Sequence, residues 1–147
     1  MSITINEQMK RFNLLSSEID AAYHEAAFKL GLSDSTMLIL YTAYCNGGEC
    51  LLSDITLMSG ASKQTINSAL RKLETEEIVY LKSFEGRKKK VYLTDKGMQL
   101  AGDTVSHLIR IENEIFGSWS DEETNKYIEL TKRYLTDFKE KIKEIAS

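Results

Sequence analysis

The sequence predicts a mainly α-helical chain carrying one small β-hairpin. Three observations lead to it. Proline is absent from all 147 residues, which removes the commonest helix breaker. Apolar residues recur at spacings of three and four near both ends of the chain, the period of a helix with one buried stripe. Two short runs, Ile78-Val-Tyr-Leu81 and Val91-Tyr92-Leu93, are instead rich in β-formers, and Glu85-Gly86 between them supplies a turn.

The first helix begins near Ile5. Ile5, Phe12, Ile19 and Ala26 form one seven-residue series and Met9, Ser16, Tyr23 and Leu30 an interleaved one, so the helix presents a narrow seam. Gly31 ends it. Further on, Ser53 is the expected N-cap of a short helix whose Ile55, Leu57 and Met58 face a core, with Gly60 reversing the chain. A second helix starts at Ser62 and runs to Glu76. Its apolar positions Ile66, Ala69, Leu70 and Leu73 fall on one stripe, leaving Lys63, Gln64, Thr65, Asn67, Ser68 and Arg71 on the free face. Side chains of this kind reach base edges and phosphates when a helix lies in a major groove. Any solvated helix face is also polar, so the hairpin that follows decides between the two.

That hairpin is expected to carry Arg87-Lys88-Lys89-Lys90 at its tip. Four adjacent cations gain nothing from packing, but beside a polar helix they suit a phosphate backbone or a minor groove. Residues 62 to 96 hold nine basic and five acidic side chains, net +4, in a chain whose net charge is -3. A protein acidic overall and basic on one module is expected to bind a polyanion locally. At the carboxyl end, Ser120-Asp-Glu-Glu123 reads as a capping box. The helix after it sets Ile128, Thr131, Leu135, Phe138, Ile142 and Ile145 on a second seam, widened by Tyr127, Leu130 and Tyr134. Two terminal helices with apolar seams exceed what one small domain covers, which predicts a homodimer.

The segment Glu85-Gly86-Arg87-Lys-Lys-Lys-Val91-Tyr-Leu93-Thr94-Asp-Lys-Gly97 resembles the wing signature of MarR-type winged helix-turn-helix regulators. Val91, Leu93, Thr94 and Gly97 match in register, as does Arg87. Glu85 stands in place of the usual Asp, and Gly86 in place of a frequent second basic residue, which shifts part of the wing contact to Lys88 or Lys89. The resemblance covers essentially the whole chain. It implies one domain over 1–147, with a winged helix-turn-helix lobe at 33–94 and dimerisation helices at 1–31 and 98–147. By the same resemblance a long helix from Asp95 to Phe116 links wing and dimer base, and Arg87 enters the minor groove of double-stranded DNA. The DNA-binding set is then Ser62, Lys63, Gln64, Thr65, Asn67, Ser68, Arg71, Arg87, Lys88, Lys89 and Lys90. Many such regulators bind small aromatic acids or phenols between dimer base and winged lobe. Tyr23, Phe28, Tyr41, Tyr44 and His107 are the residues here that would line such a pocket, although residues of each kind are more often simply core.

Other chemistry has little footing. There is no Gly-rich phosphate loop, nucleophile elbow or zinc-peptidase His pair, so no catalytic residue and no enzyme activity is expected. His24, Glu25, His107, Glu112 and Glu114 are too sparse a donor set for a metal site, and no cofactor is predicted. Cys45 and Cys50 read as structural or incidental thiols outside any disulfide. No run of 18 apolar residues exists and the amino terminus lacks the pattern of a signal peptide, so a cytoplasmic protein without a membrane partner is expected. The sequence therefore points to a ligand-responsive, sequence-specific repressor acting as a homodimer on a pseudo-palindromic promoter site. Two alternatives stay open: a winged-helix adaptor that binds protein and no longer reads DNA, and a metal- or redox-gated sensor.

Overall fold

The computed structural model describes residues 3–146; Met1, Ser2 and Ser147, the extremes of the 1–147 domain and the start of the amino-terminal reading, lie outside them. Among the described residues the order is α1 (Glu7–Lys29), α2 (Asp34–Cys45), β1 (Glu49–Leu51), α3 (Leu52–Met58), α4 (Lys63–Thr75), β2 (Val79–Phe84), β3 (Lys88–Leu93), α5 (Asp95–Asp103), α6 (Val105–Gly117) and α7 (Asp121–Lys141). A short 3-10 turn, Ile142–Glu144, follows. The fold is mainly helical with a small antiparallel sheet. It divides into two compact units, one ending at Ile109 and the other beginning at Arg110.

The first unit is built around α2. Ile39, Leu40 and Ala43 are wholly buried there, and Ile55, Ile66, Val91, Ala101 and Val105 from five other elements close on them. Its last turns of α1 dock through Ala26, Ala27 and Leu30. Helix boundaries follow local chemistry: Asn6, Ser33, Ser62 and Thr94 each accept a backbone N–H from three residues on, the arrangement that satisfies an otherwise orphaned donor. At the end of α1, Gly31 takes a left-handed conformation, as its position in the sequence predicts.

Four sequence expectations are corrected. Ser53 is not an N-cap; the N-cap of α3 is Leu51, two residues earlier, with no side-chain cap. Of the three apolar residues expected to face a core, Ile55 alone is buried; Leu57, two positions on and so off that face, and Met58, the last residue of the helix, are exposed. Gly60 does lie in the bend with Ala61, but it is not left-handed; the turn is braced by Ser59, whose hydroxyl accepts the Ala61 N–H at 2.8 Å. The single helix expected from Asp95 to Phe116 is broken at Thr104. There the Thr104 hydroxyl donates to the Leu100 carbonyl and the Ser106 hydroxyl to that of Gly102, local bonds that compete with the helical ladder.

The hairpin is also one strand larger than expected. β1 pairs with the free edge of β3, giving the order β1-β3-β2. Three residues of Glu-Cys-Leu carry no alternation that a sequence pattern detects. In the second unit, Ser120 and Glu123 form the expected capping box at the start of α7, and Phe116, Trp119 and Tyr127 pack with ring centroids 5.0 to 6.2 Å apart. No residue of α7 is buried. Its helix ends at Lys141, so Ile142 and Ile145 lie beyond the regular seam.

Candidate nucleic-acid interface

Helix α4 has one buried stripe and one open face. Ile66, Leu70 and Leu73 are at most 3% exposed, whereas Ser62, Lys63, Gln64, Thr65, Asn67, Ser68 and Arg71 are all exposed. Ser62 is the N-cap, taking the Thr65 N–H at 3.2 Å, and its hydroxyl lies 3.0 Å from that of Thr65. Arg71 donates to the Ser68 hydroxyl at 3.3 Å. Gln64, Asn67 and Lys63 carry the longer hydrogen-bonding groups of this face.

The end of α4 is tied to the sheet and to α5 at one point. Ile78 N–H reaches back to the Leu73 carbonyl at 2.8 Å, and Glu77 adopts φ 60°, the left-handed cap that usually falls to glycine. The Thr94 hydroxyl donates to the Glu77 carbonyl at 2.6 Å, lies 3.1 Å from that of Ile78, and accepts the Gly97 N–H at 3.0 Å. A Cβ at position 97 would overlap the Ile78 carbonyl oxygen. The Leu93-Thr94-x-x-Gly97 pattern is therefore a packing requirement: one hydroxyl and one missing side chain let β3, the end of α4 and α5 meet.

From that junction the hairpin projects outward. Phe84 pairs with Lys88, so the turn is Glu85-Gly86-Arg87, with left-handed φ at Glu85 and Gly86. Arg87 is thus the one cation of the expected four in the turn, and Lys88, Lys89 and Lys90 belong to β3. Residues opposed across the ladder share a face. Lys89, opposite Ser83, continues the face that is buried at Val91 and Leu93; Lys88 and Lys90 stand on the outer face with Lys82 and Phe84. Arg87, Lys88 and Lys89 are exposed. Lys90 is half-buried and bonded to Glu49 at 3.1 Å, a bond that raises its pKa.

The five residues expected to line an effector pocket are not gathered in one place. Tyr23 borders a cleft of about 440 Å³ with Asp20, His24, Asp34, Met37, Leu38 and Met58, closed on one side by the Ser59-Gly60-Ala61 turn. Phe28 is 81% exposed, Tyr41 and Tyr44 are half-buried against the core, and His107 is exposed on α6. His24 and Asp34, which span α1 and α2 at 2.9 Å, are the cleft residues that apolar patterning had no means to find. Among the described residues no group of three His, Cys, Asp or Glu side chains lies close enough to hold a metal. Neither cysteine is in a disulfide. Burial, and then the charge of Asp54, push the Cys50 thiol up to about 11, which leaves it a poor nucleophile at neutral pH. No helix among the described residues is long and apolar enough to cross a membrane.

No protein-family model and no curated protein matches the sequence. Solved structures do match. A MarR family regulator from Neisseria meningitidis superposes with a TM-score of 0.84 over 97% of this chain and 100% of its own, at 17% identity. MepR of S. aureus in complex with DNA matches with a TM-score of 0.63, 18% identity, and coverage of 92% and 99%. The PcaV transcriptional regulator of Streptomyces coelicolor in complex with its natural ligand gives 0.60, 14%, 91% and 98%. At these identities the likeness is one of fold.

Proposed function

We propose, for a chain folded as MarR family transcriptional regulators are, that it is a sequence-specific DNA-binding regulator acting as a homodimer. The observation that carries this reading is the open polar face of α4 beside a hairpin whose Arg87, Lys88 and Lys89 are exposed and, among the described residues, have no ion-pair partner. Cations left unpaired on a protruding strand pair gain by meeting phosphates and releasing counterions. In this reading α4 enters the major groove with Lys63, Gln64, Thr65 and Asn67 nearest the bases and Ser68 and Arg71 nearer phosphates. Arg87 enters the adjacent minor groove. That a structure of this fold is a complex with DNA supports the assignment.

The dimer rests on exposed apolar surface. Ile5, Phe12, Leu14, Leu15 and Ile19 of the amino-terminal segment are each about half exposed or more, and so are Ile128, Leu135 and Phe138 on α7. Patches of this extent mark interfaces. Twofold symmetry then sets two α4 helices about one helical turn apart on DNA, about 10 bp. Repression follows when such a site overlaps a promoter, and the protein works in the cytoplasm. The 440 Å³ cleft is the place for a small aromatic or phenolic effector: Met37, Leu38 and Met58 give apolar walls, and Tyr23 and His24 give polar handles. Its wall includes the turn that leads into α4, so an occupant displaces the reading helix.

Selection of bound sequences from a random duplex pool, then titration of the winner at two salt concentrations, tests the reading. The expected result is a pseudo-palindrome bound with steep salt dependence. Recovery of no motif, with weak binding lost at physiological salt, would overturn it in favour of a protein-binding adaptor.

A further inference from the structure

The sheet register separates four consecutive cations into two groups. Lys90 on β3 stands directly opposite Lys82 on β2, a pairing of like charges that destabilises a ladder. The two ammonium groups turn apart. Lys82 lies 5.5 Å and 5.8 Å from the ring centroids of Tyr80 and Tyr92, which stack on each other at 5.0 Å with 6° between their planes. Lys90 turns the other way, donating to Glu49 Oε1 at 3.1 Å and lying 4.4 Å from the centroid of Phe84. Its side chain is 22% exposed. Glu49 opens β1, the strand that runs directly into α3, and Phe84 is the last residue of β2 before the turn. One side chain thus joins the base of the hairpin's far end to the strand that feeds the helix-turn-helix.

We propose that Lys90 is a positioning residue of the wing and not a phosphate contact: with Glu49 and Phe84 it fixes the angle at which the hairpin leaves the body. This rests on the DNA-binding reading above. The charge of Lys90 is already answered by Glu49, so a phosphate gains from it only by breaking that pair. Arg87, Lys88 and Lys89 remain as the cations that release counterions. The aromatic ladder of Tyr80, Tyr92 and Phe84 stiffens the same face.

The full-length protein and three variants decide the matter: Lys89→Gln, Lys90→Gln, and the reversed pair Glu49→Lys with Lys90→Glu. Two quantities are read, the slope of log affinity against log salt on the selected duplex, and amide hydrogen exchange of residues 82 to 90 without DNA. Lys89→Gln is expected to reduce the slope by about 0.9 while leaving exchange unchanged. Lys90→Gln is expected to lower affinity about tenfold at fixed salt with the slope unchanged, and to speed exchange across the hairpin. Reversal of the pair restores slow exchange. A slope reduced by Lys90→Gln as by Lys89→Gln, with exchange unaltered, overturns the proposal. If the unmodified protein binds no duplex, the DNA reading falls, while faster exchange in Lys90→Gln and its recovery in the reversed pair still uphold the brace, and unaltered exchange still refutes it.

Discussion

Gly97 lies where a side chain would run into the Ile78 carbonyl and sit 3.3 Å from the Leu93 Cβ. Relief would need backbone movement at the end of α4, so Gly97→Ala should destabilise the fold by about 3 kcal/mol or more; the midpoint of urea unfolding reads this directly. Glu77 is the opposite case. Its φ of 60° strains a side chain that makes no use of the position, and Glu77→Gly should raise stability by about 0.5–1 kcal/mol. A gain of that size shows as a higher thermal midpoint, and a loss would contradict the strain argument. Cys50, buried and held protonated, should react with a thiol reagent at pH 8 only as fast as the protein opens, while exposed Cys45 reacts at once. Two fast thiols would reopen the redox reading. Because the folded thiol titrates near 11 and an unfolded one near 8.5, its stabilising share is complete below the lower value and is lost as pH rises through the higher.

Elements were legible where one local rule decided them. The buried stripe of α4, its start at Ser62 and the capping box of α7 each follow from residues within one turn of each other, and the structure has them where the sequence implies. β1 and the break at Thr104 were hidden because their causes are tertiary or subtle: β1 exists by pairing with β3, forty residues on, and Thr104 and Ser106 look like tolerable helix residues until their hydroxyls bond backward. The capping box makes a pH prediction. The Ser120 backbone N–H, and next its hydroxyl, hold Glu123 below the usual carboxylate range. A carboxylate whose folded pKa is depressed stabilises above its unfolded value, about 4.3, and ceases to as pH falls through the folded one. The difference in thermal midpoint between the natural protein and Glu123→Gln should therefore be constant near pH 7, begin to shrink as pH nears about 4.3, and vanish only below the depressed folded value. A difference that survives at low pH would mean the helix gains nothing from the charge.

At the scale of the whole molecule the sequence revealed what is exposed better than what is gathered. The apolar seams of α1 and α7 were visible as periodicity, but the cleft was not, because Tyr23, His24, Asp34 and Met58 come from three helices whose meeting no spacing encodes. The proposed homodimer makes its own prediction: Leu135→Lys, on an exposed part of α7, should leave the first unit folded and shift the protein to monomer at micromolar concentration, with loss of binding to the proposed palindrome. Sedimentation that stays dimeric would place the interface elsewhere.

The Thr94 hydroxyl holds the far end of α4 to the start of α5, and Ile66, Leu70 and Leu73 are buried along the rest of its length, so α4 is held near both ends. Its 13 residues span about 20 Å, and a tilt of about 10° would carry one end through about 3 Å, the whole length of a hydrogen bond. The buried stripe and the Thr94 anchor therefore fix the spacing of Lys63 and Gln64 from Arg71 to within less than the reach of one polar contact.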